Sequence, residues 1–136
     1  MNSDEEMKEI LESAKTVASV GLSGNKEKVS NGVGAYLLEH GYQVIPVNPT
    51  TDEILGKKSY PDLSSVPERI DVVQVFRRPE DVPPVVDEAI KVGAKVVWMQ
   101  EGIVNEEAAQ KAREAGLQVV MDACMRATHK RLIGPQ

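Results

Sequence analysis

The sequence has 136 residues, 41% of them hydrophobic, and a formal net charge of −5; this predicts one domain over residues 1–136 and no general attraction to nucleic acid or anionic membrane. No run reaches the roughly 18 apolar residues of a membrane span, and the acidic opening Met1-Asn2-Ser3-Asp4-Glu5-Glu6 lacks the basic start of a signal peptide. A single cysteine excludes an intrachain disulfide, so a cytoplasmic, reducing setting is expected, with local cations needed for any anionic ligand.

Along the chain, Asp4–Lys15 has helical spacing, and Val17–Leu22 follows as a short apolar run that reads as a buried strand. Ser30 is a good N-cap for a helix over Asn31–His40, which Gly41 ends before a second strand at Gln43–Val47. Thr50–Pro67 has turn chemistry and predicts a structured loop with one short helix around Asp62–Val66. The alternation then resumes with strand Asp71–Phe76, helix Pro79–Val92, strand Lys95–Met99, helix Asn105–Ala115 and strand Gln118–Met121. Cys124–Leu132 predicts a last helix on a weak apolar pattern. This is an α/β plan: a Rossmann-like, doubly wound parallel sheet of five strands with helices on both faces, expected in the order 3-2-1-4-5.

Ligands of such sheets sit outside the carboxyl ends of the strands. The rule selects Gly21-Leu22-Ser23-Gly24-Asn25-Lys26, Asn48-Pro49, Arg77-Arg78, Gln100-Glu101-Gly102 and Asp122-Ala123-Cys124. In the first of these, glycines and the helix start at Ser30 let a diphosphate approach backbone N–H groups. A dinucleotide of the NAD type asks for an acid at the end of strand 2, roughly 20 residues beyond the loop, where this chain has Asn48-Pro49. Lys26, Lys28, Arg77 and Arg78 supply cations instead, which suits a ligand with an extra phosphate, coenzyme A or NADP.

The order of motifs resembles the stand-alone coenzyme A-binding proteins related to the amino-terminal domain of the succinyl-CoA synthetase alpha subunit. The likeness runs from about Ala14 to Leu132 and is carried by Val17–Ser23, Gly41–Pro49, Asp71–Pro79 and Trp98–Gly102. It implies that Ser23–Lys26 wraps the phosphates of CoA or an acyl-CoA, that Asn48-Pro49 and Phe76-Arg77 border the adenosine or pantetheine arm, and that Gln100 lies near the same cleft. It implies binding without the ligase's own catalytic apparatus, which lies outside this domain in that enzyme.

Cys124 follows strand 5, where it reads either as an inert buried residue or as a thiol facing the cleft, with Arg126, His129 and Lys130 nearby in sequence. A small acyl-CoA- or NADP-dependent enzyme using Cys124, His129 or Asp122 is therefore the alternative. His129 otherwise reads as a structural or solvated residue on a surface helix, Asp122 and Glu101 as loop or capping carboxylates, and Trp98 as core. Two histidines and one cysteine, well separated, predict no zinc site. A homodimer or an unknown protein partner is compatible with so small a chain.

Overall fold

The computed structural model describes residues 2–134; Met1, Pro135 and Gln136, the outermost positions of the expected domain, lie outside the described residues. In order, the elements are α1 (Asp4–Ser13), β1 (Thr16–Val20), α2 (Val29–Glu39), β2 (Gln43–Val47), β3 (Glu53–Ile54), β4 (Lys57–Lys58), β5 (Val72–Val75), α3 (Val82–Lys91), β6 (Val96–Met99), α4 (Glu106–Glu114), β7 (Gln118–Val120) and α5 (Met125–Leu132). Single 3-10 turns occupy Leu63–Ser65, capped by Asp62, and Pro79–Asp81.

β1, β2, β5, β6 and β7 form one parallel sheet whose alternate side chains feed two cores. Ala18, Val73 and Val97 face α3 and α4, where Val86, Ala89, Ala109 and Ala112 are buried. Val17, Val72 and Trp98 face α1, α2 and α5, where Ile10, Leu11, Val33, Leu37 and Met125 are buried. Apolar residues on both faces explain why each strand is a continuous run rather than an alternating one. Beneath α2 and α5 runs a buried polar thread. Ser19 Oγ donates to Gln74 Oε1 at 2.8 Å, and Gln74 Nε2 donates to Gln100 Oε1 at 3.1 Å. Gln100 Oε1 also accepts from the Met125 amide at 3.0 Å, which ties β1, β5, β6 and the start of α5 together.

The doubly wound α/β architecture is the expected one, but the strand order is not. The sheet runs β2-β1-β5-β6-β7; counting only its five strands this is 2-1-3-4-5, not 3-2-1-4-5. Pro46 carries the physical reason. Its carbonyl points to the outer edge of β2, where the Tyr60 amide donates to it at 3.0 Å. A strand residue directs its N–H and C=O to the same side, so the N–H that proline lacks would have faced that edge, and such a position suits an edge strand. The Tyr60 segment fills the place, with its carbonyl accepting from the Asn48 amide at 2.8 Å. The next full strand instead pairs with the far side of β1. Asp71 pins it there, its Oδ2 accepting from the Lys15 and Thr16 amides at 2.9 and 3.0 Å. Burial pushes the Asp71 carboxyl up, but those two N–H donors and Lys95 outweigh it and hold the group below its ordinary range.

Smaller differences follow local hydrogen bonding. α2 starts at Val29 with Lys28 at the cap position and no side-chain cap bond, so Ser30 is not the N-cap. Its hydroxyl is taken by the Ser23 amide at 3.0 Å. The short helix expected around Asp62–Val66 is the 3-10 turn, and β3 and β4 are a hairpin with no counterpart in the sequence reading. At the other margin of the sheet, Asn2 Nδ2 donates to the Val119 carbonyl at 2.6 Å.

Candidate functional site

Gly21, directly after β1, has φ +90°, and a Cβ there would lie 3.3 Å from Phe76 Cβ and 3.5 Å from Arg77 Cδ. Glycine is thus needed twice over, for a left-handed backbone and for close approach of the loop that follows β5. From this point the chain is stitched to the first turn of α2. Ser23 donates its amide to Ser30 Oγ, Asn31 Nδ2 donates to the Ser23 carbonyl at 2.9 Å, and Asn25 donates its amide to Ser23 Oγ at 3.0 Å. Asn48, at the end of β2, donates from Nδ2 to the Leu22 carbonyl at 3.0 Å and accepts at Oδ1 from Thr50. With these bonds made, the peptide N–H groups of Gly24, Lys26, Val29 and Ser30 have no acceptor among the described residues. The first turn of α2 has no acidic residue. Free N–H groups at a helix start that no carboxylate neutralises form an anion receptor.

Beside this loop, at the carboxyl ends of β5 and β6, lies a cleft of about 440 Å³ lined by Val29, Phe76, Gln100, Glu101, Ile103 and Cys124. Val29 is 66% exposed although it is apolar, so the rim offers an uncovered hydrophobic contact. Gln100 is 3% exposed and held by its Oε1 bonds to Gln74 and Met125. A hollow of about 540 Å³ near Val66, Arg69, Val92 and Lys95 is larger. It lies where β5 and β6 begin, the wrong end of the strands for a ligand of this architecture.

The structure sorts the expected site residues. Gly21, Ser23, Gly24, Asn25, Lys26 and Ser30 share the stitched loop, while Phe76 and Gln100 line the cleft beside it. Leu22 sends its side chain into the core and leaves only its backbone at the site. Asn48 is a brace between the β1 and β2 loops, with Pro49 exposed beyond it. Arg77 is half-buried and makes no ion pair among the described residues, whereas Arg78 is exposed and engaged by Asp81 at 3.1 Å and Glu80 at 3.7 Å. Sequence reasoning missed Val29 and Ile103 as lining residues. It also gave no ligand role to Arg126, whose guanidinium lies against Gly32 of α2.

Cys124 and His129 do not form a catalytic pair. Cys124 lines the cleft at the start of α5, but His129 lies five residues on, about 7.5 Å along the helix, and is 4% exposed. Its Nδ1 pairs with the Tyr36 hydroxyl at 2.8 Å, and the rings of His40 and Tyr42 pack around it. His129 is therefore a buried structural residue and not part of a surface helix face. Asp122 acts within its loop, its Oδ1 accepting from the Gly102 amide at 2.6 Å. Trp98 is fully buried.

Burial, together with the neighbouring His40 ring, pushes the His129 pKa down. The unfolded chain then binds a proton more readily than the fold does, so this contribution to stability is complete above the ordinary histidine pKa and is lost as pH falls through it. The thermal midpoint should drop between about pH 7 and about pH 5. His129→Phe should lower the midpoint at neutral pH and flatten that slope in circular dichroism melts; an unchanged slope would assign it elsewhere. Asp71 acts in a separate, more acidic window, because its lowered pKa supports the fold until pH falls below the ordinary carboxylate range.

Among the described residues, no helix is long and apolar enough to cross a membrane. A family model described as a CoA binding domain matches residues 15–130. The uncharacterised protein YneT of Bacillus subtilis is 45% identical over 124 residues, covering 91% of this chain and 92% of its own. The solved structure of a hypothetical protein from Pyrococcus horikoshii OT3 superposes with a TM-score of 0.95 at 48% identity, covering 98% of this chain and 94% of that one. An ADP-forming acetate–CoA ligase of Archaeoglobus fulgidus is 28% identical over 121 residues; these cover 82% of this chain but only 18% of the ligase.

Proposed function

This chain belongs to the CoA-binding domain family, and from that premise we propose that it holds coenzyme A or an acyl-CoA at the carboxyl ends of its parallel strands, as a binding or carrier module. The observation that carries the proposal is the loop from Gly21 to Ser30. Its unused N–H groups, the acid-free first turn of α2 and the adjoining apolar cleft meet the needs of a ligand with a diphosphate at one end and a long, weakly polar arm at the other.

The residues present fit that group. The N–H groups of Gly24, Lys26, Val29 and Ser30 receive the diphosphate, and Lys26 and Arg77 neutralise phosphate charge. Val29, Phe76 and Ile103 cover the pantetheine arm, while Gln100 and Glu101 offer polar contacts beside it. Bound coenzyme A supplies a thiol that carries acyl groups. The absence of an acid on Asn48 or Pro49 argues against an NAD-type ribose contact. The matched ligase devotes most of its length to regions this chain does not span, and with Cys124 and His129 apart the reading favours holding the ligand over transforming it.

Native mass spectrometry of freshly purified protein, followed by calorimetric titration, tests this directly. The expected outcome is a retained or titratable CoA or acyl-CoA with a Kd of about 1–100 μM and weaker binding of NADP. A folded protein that gives no heat with CoA or short acyl-CoAs at about 1 mM would overturn it, and a retained NADP would move the reading to the second ligand.

A further inference from the structure

We propose that Arg126 completes the anion site from the α5 side and reads the diphosphate of the ligand, an inference that deepens the coenzyme A reading and rests on it. The observation begins with Gly32. Gly32 sits inside α2 without a left-handed φ, so its backbone does not require glycine, and glycine in a helix interior costs stability. What glycine provides is room: a Cβ at this position would lie 2.9 Å from Arg126 Nη1. The guanidinium rests where a side chain would otherwise stand, four residues into α2 and about one helical turn from the free N–H groups of Val29 and Ser30.

The charges around Arg126 leave it in need of an anion. It is half-buried and forms no ion pair among the described residues. The face of α2 that it meets has no acid in its first turn and carries Tyr36 one turn further on. On its own helix, Lys130 lies over the Tyr36 ring. Lys26 and Lys28 stand in the adjoining loop, and Glu27, the acid of that loop, is exposed and in no ion pair among the described residues. α2 and α5 both start at the carboxyl end of the sheet, where Val29 and Cys124 line one cleft, so two positive helix ends converge there. A partly desolvated guanidinium in such a field is costly until a negative group arrives. Its planar fork matches two phosphate oxygens as a lysine ammonium does not.

Calorimetry on the full chain with CoA and with dephospho-CoA, which lacks the 3′-phosphate but keeps the diphosphate, tests the assignment. Arg126→Gln should weaken both ligands by the same factor, about tenfold, with Arg126→Lys recovering only part of the loss. Gly32→Ala supplies the second arm. Its added methyl displaces only the mobile end of Arg126, so the thermal midpoint should hold or rise while affinity for both ligands falls. Loss confined to CoA would assign Arg126 to the 3′-phosphate and overturn the proposal. Unchanged affinities in both variants would make Arg126 a packing residue, and would overturn it also. Wild-type protein that binds neither ligand would remove the coenzyme A reading itself, a result distinct from wild-type binding that is indifferent to Arg126.

Discussion

Replacing Trp98 by alanine is expected to cost about 3–5 kcal/mol of folding free energy, the largest loss foreseen for a single side chain in this protein. Trp98 has no exposed surface and stands on β6 in the core shared by α1, α2 and α5. Removing it takes away the apolar contacts and leaves a cavity too constrained by strands on either side to collapse. It also orphans the Ala123 carbonyl, which accepts from Trp98 Nε1 at 2.8 Å. That carbonyl lies two residues before α5, so the wall of the cleft carrying Cys124 should loosen with the core. Trp98→Phe keeps most of the packing and should cost less, about 1–2 kcal/mol, chiefly the lost hydrogen bond. Urea unfolding of the two variants checks both values; a loss below about 1 kcal/mol for the alanine variant would mean that the core repacks around the gap.

On the coenzyme A reading proposed above, reversing charge at Lys26 and Arg77 together is expected to weaken CoA binding by about a hundredfold or more, since each would exchange a charge-assisted phosphate contact for repulsion. Neither side chain makes an ion pair among the described residues, so the thermal midpoint should move little. Arg78→Glu is the informative control. It neighbours Arg77 in sequence but is exposed and already held by Asp81 and Glu80, so its reversal should leave affinity near wild type. Calorimetry in low and high salt separates the cases, because the wild-type affinity should fall with ionic strength and the double variant's should depend on it far less. Equal losses from Arg77→Glu and Arg78→Glu would mean that the protein presents only a diffuse positive field there.

The strands were legible because all five are buried on both faces, which makes Val17-Ala18-Ser19-Val20 and Val96-Val97-Trp98-Met99 continuous runs that turn residues delimit. Their order was less so. Pro46 held the clue, since a strand proline belongs at an edge, but hydrophobic periodicity alone does not register a missing donor. The hairpin of β3 and β4 has two residues per strand, too few for any alternation to show. It turns at Leu55-Gly56, where Leu55 itself takes φ 55°, a conformation its residue type gives no reason to expect. α5 looked weakly amphipathic because its buried face is Met125, Thr128 and His129. Two of those three are polar residues that only the facing elements explain. The glycine loop and its cations could be read from spacing along the chain. Arg126 could not, because its significance lies in what stands opposite, the missing side chain of Gly32.

The two margins of the sheet also bear on how the protein behaves in company. β2 presents a proline and is already occupied by Tyr60; β7 is three residues long, and the Asn2 side chain takes its Val119 carbonyl. An approaching chain therefore finds few unspent groups on which to lay a further strand. Edge-to-edge pairing of native copies is therefore disfavoured, while conditions that release Tyr60 or Asn2 should uncover templates for cross-β growth. Resistance to aggregation in this fold thus depends on two short tethers as well as on the strength of its core.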